Sequence, residues 1–220
     1  MDQAYIEGLT AAGFDVLSLA NNHMLDHTAA ALVDTIDRLR AAGIGTAGAG
    51  RDYTEANAPH IEELSDGSKI AFLSYTNLMP ESFSASAERP GISTPDVEVI
   101  KSTIIHLKSE NDLVVLLWHW GEEYQPRSHP REQAIARELI DAGADLIVGH
   151  HPHVPQEIEQ YKGTYIAYSL GNFIFDQYFS EETMKGLTLK IKVKDKLIIS
   201  AEPINIQLTP TYQPYIVNVP

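Results

Sequence analysis

The chain has 220 residues, a formal net charge of −14 and an apolar fraction of 44%. This size suits one α/β domain with an ordinary core, and the acidic excess argues against a nucleic-acid partner, which requires clustered basic residues. Because the chain has no cysteine, disulfides and thiolate zinc sites are excluded, and any metal must be held by histidine, carboxylate or amide side chains. The sequence contains neither a signal-peptide pattern nor an apolar run of the ~18 residues needed to span a bilayer.

Apolar stretches of strand length alternate along the chain with stretches of helical period. This alternation is typical of βαβ units on a largely parallel or mixed sheet. The opening residues, MDQAYIEGLTAAGFD, predict a short helix that leads into the first strand. The predicted strands of the α/β part cover residues 14–21, 69–76, 112–121 and 145–150.

Three helices are predicted between these strands. The first has apolar residues at helical spacing, with Asp26 or Thr28 as its N-cap. The second is predicted to begin with Thr94 as the cap and Pro95 at the first helical position. The third is predicted from about residue 130 to residue 142.

The last quarter of the chain has the pattern of β-strands. A hairpin is predicted to turn near residues 194–196, and no further helix is indicated. We predict that one domain covers residues 1–208. Residues 209–220 are rich in proline and are predicted to form a tail or an edge strand.

Histidines and other polar residues follow three of the predicted strands. They are Asn22 and His23 after the first strand, His119, Glu122 and Glu123 after the third, and His150, His151 and His153 after the fourth. Ligands of open α/β sheets collect where strands end at their carboxyl edge. Each cluster alone is more typical of a turn or a half-buried aromatic contact, but three together favour a metal site.

The segment VGHHPHV suggests how two of these histidines share a site. In extended backbone, residues two apart point the same way, so His151 and His153 are predicted to face one site while His150 faces elsewhere. Pro152 is predicted to stiffen this spacing and to hold His151 in extended geometry.

Several acidic and amide residues have open interpretations. Glu122 and Glu123 either hydrogen-bond a ligating histidine or are plain surface charges. Asn172 and Asp176, in the segment SLGNFIFD, belong either to a tight turn near the site or to a hairpin corner. Asp26 is predicted to cap a helix rather than to bind a metal.

Three segments resemble the CapA family of bacterial capsule and poly-γ-glutamate synthesis proteins. They are LANNHMLDHTAAALVDTIDRLRAAGI, LLWHWGEEY and LIDAGADLIVGHHPHVPQEIEQYKGTYIAYSLGNFIFD, which occur in the family's order between about residues 11 and 176. This family is itself similar to the calcineurin-like metallophosphoesterases. The resemblance implies a four-layer α/β/β/α sandwich of metallophosphoesterase type.

The resemblance also implies roles for individual residues. Asn22, His119 and His151 match ligands of one metal ion, and His153 matches a ligand of a second ion. His23 matches a histidine near the leaving group, where it acts as an acid or stabilises charge. The implied cofactors are one or two divalent ions of manganese, iron or zinc. Their positive charge would also offset the negative charge of the acidic surface, which makes an anionic substrate compatible with this chain.

The sequence departs from the superfamily at its start. Members begin with a strand that carries an aspartate motif, followed by a second acidic motif that supplies a carboxylate bridging two metals. Nothing before Asp15 matches these motifs. The departure implies that the N-terminal strands of the fold are missing from this chain, and it leaves open whether the chain is an enzyme.

Three functions follow from the resemblance. The first is the synthesis or export of capsular poly-γ-glutamate, with a membrane synthase or export complex as partner and an extracytoplasmic or cell-surface location. The second is metal-dependent hydrolysis of a phosphoester by two ions, with His23 assisting the leaving group. The third is a non-catalytic accessory domain that binds polyglutamate or partner proteins.

Overall fold

The computed structural model describes residues 3–217. Residues 1–2 of the predicted N-terminal helix and residues 218–220 of the predicted tail lie outside the described residues. The helices are α1 (Gln3–Ala11), α2 (Ala29–Ala41), α3 (Tyr53–Asn57), α4 (Val97–Glu110) and α5 (Pro130–Asp141). The strands are β1 (Val16–Ser18), β2 (Gly45–Ala47), β3 (Ala49–Gly50), β4 (His60–Glu63), β5 (Lys69–Thr76), β6 (Gly91–Ile92), β7 (Leu113–His119), β8 (Leu146–His150), β9 (Ile158–Tyr161), β10 (Thr164–Ala167), β11 (Lys185–Lys194), β12 (Leu197–Leu208) and β13 (Pro214–Ile216).

A six-stranded central sheet has the order β4-β5-β7-β8-β10-β9. β5, β7, β8 and β10 run parallel, and β4 and β9 are antiparallel strands at the two edges. The parallel strands are nearly continuous apolar runs, as expected when both faces of a sheet are covered. The pairing of β7 with β8 places His119 directly opposite His150 at the carboxyl edge.

Different layers cover the two faces of the central sheet. Helices α4 and α5 cover one face, where Ile104 and Leu139 pack in the same core as Leu116. The other face packs against a second sheet of order β11-β12-β13, through residues such as Leu189 and Ile191. This succession of helices, central sheet and second sheet confirms the predicted α/β class.

The remaining layer is built on β1 and β2, which form a parallel pair. Helix α2 packs beside this pair, and its residues Leu32, Ile36 and Leu39 are buried in a separate core. The Thr28 hydroxyl accepts a hydrogen bond from the amide of Ala31 and therefore caps α2. Thr28, and not Asp26, is the N-cap of this helix.

Two predicted elements have different bounds in the structure. β1 covers only three residues because its partner β2 ends at Ala47, where Gly48 turns the chain with a φ of 94°. Helix α4 begins at Val97, so the predicted cap at Thr94 is wrong. The Thr94 hydroxyl instead forms a hydrogen bond with the hydroxyl of Ser84.

The C-terminal part agrees with the predicted β pattern. β11 and β12 form a hairpin, and the residues between them, Asp195 and Lys196, both have positive φ as a tight hairpin turn requires. Pro214–Ile216 pairs antiparallel with the end of β12 and is an edge strand of the second sheet. Across the described residues, every helix is too short or too polar to cross a bilayer.

Candidate metal centre

The predicted site residues come together at the carboxyl edge of the sheets. Asn22 follows β1, His119 ends β7, and His151 and His153 follow β8. The ring centroids of His119 and His151 are 4.8 Å apart, and those of His151 and His153 are 6.0 Å apart. The His151 ring is therefore close to both of the other imidazoles.

Asn22 and His119 have the spacing of two ligands of one ion. The amide oxygen of Asn22 lies 2.9 Å from Nε2 of His119. Two ligand atoms at bonds of about 2.1 Å and right angles to each other lie about 3 Å apart. The contact is a hydrogen bond between the two side chains, and its length is also compatible with both atoms binding one ion.

His119 is uncharged at neutral pH. Burial, and after it the neighbouring histidines His151, His150 and His153, lower the pKa of His119 to about 3. The ring is therefore neutral at pH 7. A neutral imidazole is the form that coordinates a metal.

His151, His153 and Glu123 form a second group of ligand atoms. Their ligand atoms all lie within 4.8 Å of one another. Nδ1 of His151 is buried and has no hydrogen-bond partner among the described residues. A buried polar atom without a partner costs roughly 1–3 kcal/mol, and a metal ion would satisfy it. The donor set of two imidazoles and a carboxylate therefore fits a divalent transition metal.

The backbone around these histidines is not extended, contrary to the prediction. His151 has a φ of 103° and His153 a φ of 61°, both in the left-handed half of φ space. The carbonyl of Pro152, between them, accepts a hydrogen bond from the amide of Tyr124, which holds the turn. Non-glycine residues in this region are strained by roughly 1–3 kcal/mol each, and such strain clusters at functional sites.

Asn172 orients His153. Its side-chain nitrogen donates to the carbonyl of Thr183 at 2.9 Å, so its oxygen is the atom that faces His153. That oxygen lies 2.9 Å from Nδ1 of His153 and accepts its proton. The bond fixes the tautomer in which Nε2 carries the lone pair, an arrangement common among metal-ligating histidines.

Gln177 and Tyr124 extend this network around His153. The Gln177 side-chain oxygen accepts from Asn172 at 3.3 Å, and its nitrogen donates to the Tyr124 hydroxyl at 3.2 Å. The Tyr124 ring in turn stacks on the His153 ring, with 6.0 Å between centroids. His153 is therefore held both at one ring nitrogen and on one ring face.

His23 lies at the exposed side of the site. Its Nδ1 is 2.8 Å from a carboxylate oxygen of Asp26. Asp26 therefore hydrogen-bonds His23 and does not cap helix α2 as predicted. It leaves Nε2 as the free nitrogen of His23, which lines a cavity of about 580 Å³ together with Asn22, His119 and His153.

The other predicted neighbours have different positions. His150 lines the same cavity, and burial lowers its pKa to about 4. Glu122 is exposed. Asp176 is also exposed, and it lines a different cavity beside Tyr212 and Pro214.

Sequence reasoning left the role of Glu123 open and did not single out Gln177 or Tyr124. A pair of adjacent glutamates carries no local signal that separates a ligand from a surface charge. Only the turn at His151 brings the Glu123 carboxylate to the histidines. Burial of His151 lowers its pKa, and the Glu123 carboxylate opposes that shift.

The chain matches a family model described as bacterial capsule synthesis protein PGA_cap over residues 1–177. The chain belongs to this family. It is 38% identical over 208 residues to capsule biosynthesis protein CapA of Bacillus anthracis, covering 92% of this chain and 50% of that protein. It is 39% identical over 172 residues to PGA biosynthesis protein CapA of Bacillus subtilis, covering 78% of this chain and 45% of that protein.

A solved structure supports the fold of this family member. The 5'-nucleotidase precursor from Thermus thermophilus matches with a TM-score of 0.58 and 16% identity, over 96% of this chain and 42% of that one. At this identity the likeness shows a shared fold and nothing about activity. The chain spans about half the length of the curated relatives that it matches.

Asn172→Ala is expected to weaken metal binding without removing a ligand. Loss of the bond to His153 frees the imidazole to rotate, and such outer partners contribute about 10–100-fold to metal affinity. Calorimetric titration of Mn²⁺ into the variant measures the change. Asn205→Ala, at an exposed position of β12, is the matched control. Equal affinities for both variants would show that Asn172 does not position His153.

Proposed function

We propose that this chain acts in the synthesis of a bacterial poly-γ-glutamate capsule through a divalent-metal centre formed by Asn22, His119, His151, His153 and Glu123. The family membership and the names of the two Bacillus relatives support the capsule role. Two observations carry the metal centre: the ligand atoms of Glu123, His151 and His153 lie within 4.8 Å of one another, and the buried Nδ1 of His151 has no hydrogen-bond partner among the described residues. Manganese, iron or zinc suits this mixture of nitrogen and oxygen donors, and the two groups have room for one or two ions.

The proposed centre attracts an anion to an otherwise acidic chain. A bound divalent ion supplies positive charge for the oxygens of a phosphate or carboxylate group. The residues that would surround that group include Asn22, His23 and His119, which line a cavity of about 580 Å³. Asp26 holds His23 by Nδ1, so a protonated His23 would present its Nε2–H to an oxygen of the bound group and would be left with the proton on Nδ1.

Hydrolysis of a phosphoester is the second candidate. It is favoured by the position of His23, an exposed imidazole that lines the same cavity as Asn22 and His119. An acid at this place protonates a leaving oxygen, which is a step that hydrolysis needs and simple binding does not. Turnover of p-nitrophenyl phosphate with added Mn²⁺, lost in His23→Ala, would favour this candidate over a non-catalytic accessory role.

The proposed setting is the outer side of the cell membrane, with the synthase or export machinery of the polymer as partner. Capsule synthesis by the relatives supports a cell-surface context. The polymer is itself an anion, and the chain has a formal net charge of −14. A cavity lined by metal ligands would therefore offer the positive charge that the chain otherwise lacks.

Complementation of a capsule-forming bacterium tests the proposal. The strain lacks its own family member and expresses the full-length protein that contains this domain. We expect His119→Ala to abolish surface polyglutamate, whereas His106→Ala, an exposed change on α4, leaves it intact. Immunoblotting confirms that both variants are present in equal amounts. A normal capsule with His119→Ala would refute the metal-dependent role.

A further inference from the structure

A second cavity lies next to the metal centre. It has a volume of about 560 Å³, and most of its lining is apolar. The apolar walls are formed by Tyr124, Pro126, Val154, Pro155 and Phe179. Val154 follows His153 directly and Tyr124 follows Glu123, so two walls of the cavity adjoin candidate metal ligands in the chain.

Tyr124 is the wall between this cavity and the metal centre. Its ring stacks on His153 on one side and meets the edge of the Phe179 ring at 5.1 Å between centroids on the other. Its amide is bonded to the carbonyl of Pro152 at 2.8 Å, and its hydroxyl accepts from Gln177. The amide bond fixes the backbone, and the hydroxyl bond and the two ring contacts position the ring, so this wall is formed before any ligand arrives.

The polar residues of the cavity limit what it can accept. Ser180, Glu182 and Lys185 complete the lining. The ammonium of Lys185 is 4.0 Å from the carboxylate of Glu181, which offsets its charge. With Glu182 also present, the cavity offers no excess of positive charge to a polyanion. Its apolar walls instead suit an aromatic or aliphatic group, which gains by leaving water.

We propose that this cavity is a subsite of the metal centre that binds the aromatic or aliphatic group of an anionic ester, while the ion binds the ester's phosphate. The inference rests on the proposed metal centre and specifies the substrate class. It makes the ligand an amphiphilic phosphoester, in which one end is charged and the other is apolar, rather than the polyglutamate chain itself.

A series of phosphonates tests this subsite. Methylphosphonate, phenylphosphonate and 3-phenylpropylphosphonate are titrated calorimetrically into the Mn²⁺-loaded protein, because the apolar arm must pass Tyr124 to reach the cavity. We expect 3-phenylpropylphosphonate to bind about tenfold or more tighter than methylphosphonate. Phe179→Ala should remove this preference, whereas Tyr178→Ala should keep it, since Tyr178 lines a different cavity.

The outcomes separate the subsite from the centre on which it depends. Equal affinity of all three phosphonates would overturn the subsite and leave the anion-binding centre standing. Binding of none of them, with Mn²⁺ bound, would overturn both. A preference for the long arm that Phe179→Ala does not change would place the apolar group elsewhere and would also overturn the proposal.

Discussion

Replacing His151 with alanine is expected to weaken Mn²⁺ binding by more than about a hundredfold, since a direct ligand contributes more than the outer partners that supply about 10–100-fold. His151 is near both His119 and His153, so its loss takes a nitrogen from the cluster of candidate ligands. The same change removes a buried nitrogen that has no hydrogen-bond partner among the described residues. The metal-free variant is therefore expected to be at least as stable as the metal-free parent.

This pair of effects distinguishes a ligand from a structural histidine. Calorimetric titration after chelator treatment gives the affinity, and urea denaturation without metal gives the free energy of unfolding. His106→Ala, at an exposed position of α4, is the control for both measurements. Unchanged affinity together with reduced stability would assign His151 to packing and would contradict the metal centre.

Gly149→Ala is expected to lower the free energy of unfolding by about 3 kcal/mol or more, at or above the top of the usual range for overpacking in a core. A Cβ at this position would lie 1.9 Å from the carbonyl oxygen of Tyr168 and 2.4 Å from Nε1 of Trp120. These two atoms are bonded to each other at 3.0 Å. Because β8 has paired neighbours on both sides, its backbone has little freedom to move away.

Gly8→Ala is the matched control for this change. Gly8 lies in α1, where a Cβ would meet no atom within 4 Å, so alanine should stabilise the helix by about 0.5–1 kcal/mol. Urea denaturation of both variants gives the comparison. Equal free energies of unfolding for Gly149→Ala and the parent would show that the strand before the histidines is not tightly packed.

The glycine in VGHHPHV thus has a packing role that the sequence did not reveal.

The predicted elements that agree best with the structure are those whose sequence signals are local. β5 is a continuous apolar run, and α5 has a proline at its first position with a capping box between His129 and Glu132. Such elements are specified within a few residues, so they can be read without knowledge of the fold.

The site could be predicted only in part, because its geometry depends on contacts between distant segments. The residues at the strand ends were found from strand order, and the structure brings Asn22 to His119 across 97 positions of the chain. The turn at His151 and the approach of Glu123 were not predicted. Positive φ at a histidine and the choice between two adjacent glutamates have no signature in local sequence.

The position of a bound ion tests the metal centre most directly. Crystals of the chain soaked in Mn²⁺ and measured at the manganese absorption edge would locate the ion by its anomalous scattering. We predict a peak in contact with His151, His153 and Glu123, and a second peak, if two ions bind, at Asn22 and His119. Manganese bound only away from these residues, or bound nowhere in a soaked crystal, would contradict the account.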